Sequence, residues 1–184
     1  MHATLSGFAR EVSSLGWDSR ALRGSQPHSS IFREAHEEGI AITVHAGETR
    51  GPDSIREALT LAFPNRIGHG VRAIEDPALV SELVSSRIAL EVCPTSNVRL
   101  GVAADLASHP LPRMLEAGLN VSINSDDPPM FGTTLSDELH RCAETFGLNL
   151  DMLFSLQTNA ADALFVSEAK RLELRAVLRE NWPE

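Results

Sequence analysis

The sequence has no apolar run long enough to cross a bilayer: "GIAITV" and "ALEVC", the longest, fall far short of a span. Its opening stretch, "MHATLSGFAREVSS", lacks the basic start and long apolar centre of a secretion signal. These two absences predict a cytoplasmic protein with no membrane partner. Positive charge is scarce as well, with 16 Lys and Arg against 25 Asp and Glu, a formal net charge of −9. The arginines form no cluster, which argues against nucleic-acid binding through phosphate contacts. Cysteine is limited to Cys93 and Cys142, which make neither a C-x-x-C pair nor a secreted disulfide framework, so both are expected as buried thiols. No internal repeat, low-complexity tract or linker divides the chain. What is present is ordinary globular material: 184 residues, 42% hydrophobic and 22% charged, enough for one domain with a real core.

From about residue 29 onward, helical patterns alternate with short apolar runs that end in polar residues, the signature of β/α units. "SSIFREAHEEG" reads as a helix closed by Gly39, and "IAITV" as a strand buried on both faces. The next helix opens at "DSIREALTLAF", where Ser54 and Glu57 have capping-box spacing, and ends at Pro64-Asn65 before the strand "RIG". Asp76 and Pro77 suit the N-cap and first turn of "PALVSELVSS", followed by the strand "RIALEV" and a loop "CPTSN". A helix "PLPRMLEAG" stops at Gly118, the strand "LNVSIN" runs into Ser125-Asp126-Asp127, and helices near 134–147, 150–160 and 167–180 finish the chain. "VSSLGWDS" reads as one further strand-to-loop transition. Four strands ending near 45, 68, 92 and 124 thus deliver polar side chains at one end. In a parallel sheet or a β/α barrel, that is the end where ligands bind.

Three motifs at those ends carry chemistry. In "HAGE" a strand-end His45 precedes Glu48 by three residues, and imidazole suits zinc while a carboxyl group beside a metal can move protons. The same pair also fits a loop histidine and a helix-proximal glutamate with no joint role. "GHG" flanks His69 with glycines that either admit a ligand closely or simply turn the chain. In "SDDP", Asp126 and Asp127 repel unless a cation, proton or donor lies beside them, or else form a solvated turn that caps the next helix. Together, His45, Glu48, His69 and the two aspartates suggest a mononuclear metal hydrolase.

In their order and spacing, "TVHAGE", "RIGHG", "LEVCPTSN" and "SINSDDP" resemble the second half of the adenosine deaminase family, over roughly residues 29–165. The resemblance implies an α/β fold: parallel β/α units forming the C-terminal half of a (β/α)8 TIM barrel, followed by C-terminal helices. It also implies one zinc ion, with His45 and Asp126 as metal ligands. Glu48 would give a proton to purine N1, and His69 would orient and deprotonate the zinc-bound water. Asp127 would hydrogen-bond purine N7. Ser19, in "GWDSRA", would stand where a backbone donor meets the purine, although Arg20 and Ala21 replace the acidic pair usual there. The implied reaction is hydrolytic deamination of a 6-aminopurine, adenosine or a related nucleoside or base. "CPTSN" and "SDDPPMFG" look closer to bacterial adenosine or adenine deaminases than to AMP deaminases. Only Arg72 and Arg99 near the motifs could cradle a phosphate, so a neutral substrate fits better.

The family takes two more zinc ligands from an H-x-H on its first barrel strand, and this sequence contains none. Its remaining histidines, His2, His28, His36, His109 and His140, carry no such pattern, and the last four are expected in surface or capping roles. The expectation is therefore a single partial domain over residues 1–184, a truncated portion whose activity on its own stays open because the H-x-H ligands are absent, with residues 1–28 poorly assigned. Such a half-barrel leaves strand edges unpaired and an apolar sheet face uncovered, which predicts self-association through the edges. The alternative of another class is a non-catalytic half-barrel interaction module. A hydrolase of another metal-dependent barrel family is a distant third.

Overall fold

A computed structural model describes residues 14–18 and 26–183. Five parallel strands lie side by side in sequence order: β1 (Ser14–Asp18), β2 (Ala41–Ala46), β3 (Arg66–His69), β4 (Ala89–Val92) and β5 (Val121–Ile123). Helices α1 (Gln26–Glu37), α2 (Pro52–Ala62) and α3 (Pro77–Ser86) fill the first crossovers, and α4 (Pro94–Arg99) and α5 (Leu111–Glu116) share the last. After β5 come α6 (Pro128–Phe131), α7 (Leu135–Phe146), α8 (Leu150–Asp162) and α9 (Glu168–Glu180). The expected β/α alternation holds, and "VSSLGWDS" does contain a strand. No helix among the described residues is long and apolar enough to cross a membrane.

Strand side chains alternate between faces, and the two faces differ in chemistry. Ile42, Val44, Ile67, Leu90, Val92, Val121 and Ile123 point to the helix-covered face and are at most 1% exposed. Phe32 and Ala35 of α1, Ile55 and Ala58 of α2, Leu79 and Leu83 of α3, and Leu111 and Met114 of α5 complete that core. The opposite face carries Thr43, His45, Arg66, Glu91 and Ser122. There Arg66 Nε lies 3.2 Å from Glu91 Oε2, and Thr43 Oγ1 donates to the same oxygen at 3.3 Å. The expected apolar uncovered face is therefore polar and internally paired. "IAITV" hides this because Thr43 counts as a β-former while its hydroxyl sits on the open side, so the strand is not buried on both faces.

Asp76 is the N-cap of α3, accepting from the Ala78 and Leu79 N–H groups at 3.0 and 3.1 Å, with Pro77 behind it. Two other local expectations are corrected. The Ser54–Glu57 capping box does not form, because Pro52 suits the first helical turn and α2 starts from Gly51. Ser54 Oγ instead accepts from Gly47 N at 2.8 Å, and Glu57 pairs with Arg50. "CPTSN" is not a loop but the body of α4. Both cysteines are buried free thiols, as expected.

Candidate active site

The parallel register aligns Asp18, His45, Gly68, Glu91 and Ser122 in one row, so the strand ends form a shelf from which the candidate side chains rise. His45 keeps an exposed ring there, packed edge-on to His69 with centroids 5.0 Å apart. Gly68 makes this contact possible, since a Cβ at that position would lie 2.9 Å from the His45 ring. By strict alternation His69 would follow Ile67 onto the helix-covered face. Its φ of 65° breaks the strand, and the ring lines the same cavity as His45. Asp126 also has a left-handed backbone, φ 57°, a conformation that costs a non-glycine residue free energy and that clusters at functional sites.

That cavity, about 300 Å³, is lined by His45, His69, Cys93, Asn124, Ser125 and Asp126 among others. Asp126 Oδ2 accepts from Ser96 Oγ at 2.7 Å and lies 4.0 Å from His69 Nε2. Glu48 stands on the far side of His69, its Oε1 3.4 Å from Nδ1. Asp127 sits apart at the exposed rim, where Oδ1 accepts from Met130 N at 3.4 Å and caps α6. The helix-capping reading of that aspartate is thus realised, and its second carboxylate oxygen is not used by the cap. Ser19 lies outside the described residues.

His69, Cys93 and Asp126 each offer a ligand atom within 4.8 Å of the others. Zinc takes nitrogen, oxygen and sulfur donors, so with His45 on the same wall the donor set fits that ion in kind. Cys93 is held as a thiol, its pKa pushed far up by burial and then by the Asp126 charge. Sγ donates to Glu91 O at 3.5 Å.

Several residues that position the site escaped the sequence reading. Ser96 and Asn97 belong to "CPTSN", which drew notice only through resemblance, and their local spacing carries no signal of what they hold. Glu138, 1% exposed on α7, accepts from Thr95 N at 3.0 Å and from Thr133 Oγ1 at 2.7 Å, anchoring the start of α4. His109 is not a surface residue but a buried one, 3% exposed, whose Nδ1 accepts from Leu111 N at 3.1 Å. His36 and His140, by contrast, are exposed as expected.

Known proteins resemble this chain over most of its length. An adenine deaminase of Agrobacterium fabrum is 48% identical over 151 residues, 82% of this chain and 46% of that protein. The chain spans about half the length of the curated relatives it matches. Among solved structures, an adenine deaminase from Arthrobacter aurescens superposes with a TM-score of 0.87 at 35% identity, over 96% of this chain and 54% of that one. A zinc-bound amidohydrolase from Burkholderia ambifaria gives 0.77 at 25% identity, over 84% and 43%. These neighbours place the open parallel sheet as part of a β/α barrel. The family model described as adenosine deaminase matches residues 5–181, nearly the whole sequence, and the chain belongs to the adenosine deaminase family.

Proposed function

We propose that this chain carries part of the active site for zinc-dependent hydrolytic deamination of a 6-aminopurine, with adenine favoured over adenosine. The observation that carries the reading is the convergence of His45, His69 and Asp126 on one cavity at the strand ends, with Glu48 against His69. In net terms, water adds at C6, ammonia leaves, and a 6-oxopurine remains. His45 and Asp126 are the residues that would hold the zinc, and His69, whose Nε2 lies 4.0 Å from Asp126 Oδ2, would orient the attacking water and take its proton. When bound, the ion lowers the pKa of water towards neutrality and so supplies a nucleophile. Glu48 delivers a proton to purine N1, which keeps negative charge from building on the ring. Asp127 hydrogen-bonds purine N7 through the carboxyl oxygen that the cap leaves over, with one proton shared between the two atoms, and the backbone contact assigned to Ser19 rests on sequence resemblance alone.

A substrate without a phosphate, nucleoside or base, is favoured because Arg72, a candidate phosphate ligand, is engaged: Nε and Nη2 donate to Glu75 at 2.7 and 3.1 Å, and Nη1 to Thr49 O at 3.3 Å. The strong similarity to curated adenine deaminases supports the base of the two. Because β1 and β5 form the sheet edges among the described residues, we also propose that the single partial domain associates through them, with itself or with another chain, in the cytoplasm.

The test is to add zinc to the purified chain and follow the ultraviolet change as adenine, then adenosine, is offered. Turnover of adenine is expected, and Asp126→Ala should lower it by more than about 100-fold, the upper range for losing a residue that merely supports a metal ligand. No change under conditions where a full-length relative turns over would sink the catalytic reading and leave the interaction module.

A further inference from the structure

Glu138 is a buried acid, 1% exposed, whose side chain its own helix does not use. The cap of α7 is complete without it: Thr134 Oγ1 accepts from Asp137 N at 3.2 Å, and Asp137 Oδ2 accepts from Thr134 N at 3.0 Å. One turn further along α7, Cys142 is wholly buried in the core and fixes the helix in place. A carboxyl group sealed in this way is costly unless both oxygens find donors.

The two oxygens reach different segments. Oε2 accepts from Thr95 N at 3.0 Å, and Oε1 from Thr133 Oγ1 at 2.7 Å. Each segment leads directly to the candidate site. Thr95 stands at the start of α4, a helix of six residues with no side-chain cap of its own, too short to hold itself. The next two residues reach the site: Ser96 Oγ donates to Asp126 Oδ2 at 2.7 Å, and Asn97 Nδ2 donates to Glu48 Oε1 at 3.4 Å. On the other side, Thr133 N donates to Pro128 O at 3.3 Å, which closes the link after α6 back onto the residue that follows Asp127.

We propose that Glu138 is a positioning residue: from α7 it ties the start of α4 to the exit of the Asp126-Asp127 loop, and so sets Ser96 against Asp126 and Asn97 against Glu48. It does not line the cavity where the chemistry would occur. Its part in catalysis rests on the deaminase reading, whereas the tie itself does not.

Amide hydrogen exchange of the full chain, read by NMR, tests the tie. In the unaltered chain Thr95 N–H is expected to be as protected as Asn97 N–H and Leu100 N–H, which donate to Cys93 O at 2.9 Å and to Ser96 O at 2.8 Å. A freely exchanging Thr95 N–H overturns the proposal without any variant. Glu138→Ala should speed exchange at Asn97 and Leu100, whose bonds Glu138 does not make, about 10-fold more than at Leu90 in the sheet. An equal rise at all three, or no rise in α4, overturns the tie. Glu138→Gln should restore slow exchange. Its oxygen can accept from Thr95 N and its NH2 group can donate to Thr133 Oγ1, whose own hydrogen turns to Thr134 O at 3.3 Å. If Glu138→Ala fails to fold, Thr133→Val removes one arm alone and should give the same pattern at smaller amplitude; its absence overturns the tie.

Where the chain turns adenine over, Glu138→Ala should lower kcat about 10-fold while Glu138→Gln stays near the unaltered value. An unchanged kcat in Glu138→Ala overturns the positioning role. Loosening of α4 in a chain that fails to deaminate adenine supports the tie and counts against the deaminase reading. Turnover in a chain whose α4 is unmoved by Glu138→Ala does the reverse.

Discussion

The two faces of the sheet are built from the same strands yet obey different rules. On the helix-covered face, Ile42, Val44, Ile67, Leu90, Val92, Val121 and Ile123 are sealed against α1, α2, α3 and α5. On the open face, His45, Thr43, Arg66 and Glu91 keep partial contact with solvent, and the last three pair with one another. Burial of apolar area holds the first face together, at roughly 25 cal/mol per Å². Short polar contacts, each worth about 1 kcal/mol or less, organise the second. Stability is therefore concentrated on one side of the sheet, and the other is free to carry the polar residues of the candidate site.

The largest effect that could break this contrast is a deletion in the sealed face. Leu90→Ala removes a fully buried side chain from the central part of the sheet and should cost about 2–5 kcal/mol, read as a lowered urea midpoint. Thr43→Ala, one strand row away on the open face, loses a single 3.3 Å hydrogen bond to Glu91 and should cost about 1 kcal/mol or less. Equal losses would mean that the open face is as much a core as the other.

Between the two regimes lies His109, a polar group that is nonetheless buried. Its folded pKa, about 4, lies below the ordinary histidine value, so the unfolded chain binds the proton first as pH falls. The stability this neutral ring contributes is complete above the ordinary value and is lost as pH drops towards 4. By about pH 5 the loss should reach about 2 kcal/mol. Urea midpoints at about pH 7 and pH 5 measure it, and His109→Gln should remove that part of the pH dependence. An unchanged slope in the variant would show that other groups, not this ring, set acid sensitivity.

How far each face could be read in the sequence follows the same division. The sealed face announces itself through β-branched runs, and Asp76-Pro77 marks the start of α3 because cap and helix are adjacent in the chain. The family's four motifs made the strand-end residues legible in the same way. The open face was misread because its pairing is set by register: Arg66 and Glu91 are 25 residues apart in number and become neighbours only when β3 and β4 align. "CPTSN" was taken as a loop because its helix lacks a side-chain cap of its own. The acceptor for Thr95 N comes from Glu138, 43 residues later. His109 was dismissed for a related reason, since its partner Asn97 lies 12 residues away across a loop and no local spacing joins them.

The smallest predicted effect sharpens the comparison most, because it concerns charge on the open face. Glu91 and Arg66 are 24% and 19% exposed in their side chains, enough for water and salt to screen the pair. Arg66 also stacks over the Phe165 ring at 3.9 Å and donates to Ala163 O at 3.1 Å, so losing Glu91 does not strand its charge. Glu91→Gln should therefore cost less than about 1 kcal/mol at low salt, and the difference should shrink further as salt approaches about 1 M. A loss as large as that of Leu90→Ala, insensitive to salt, would place the pair in a dry interior. Arg66 would then need Glu91 as a buried counter-ion, and the open face would have to be reclassified as part of the core.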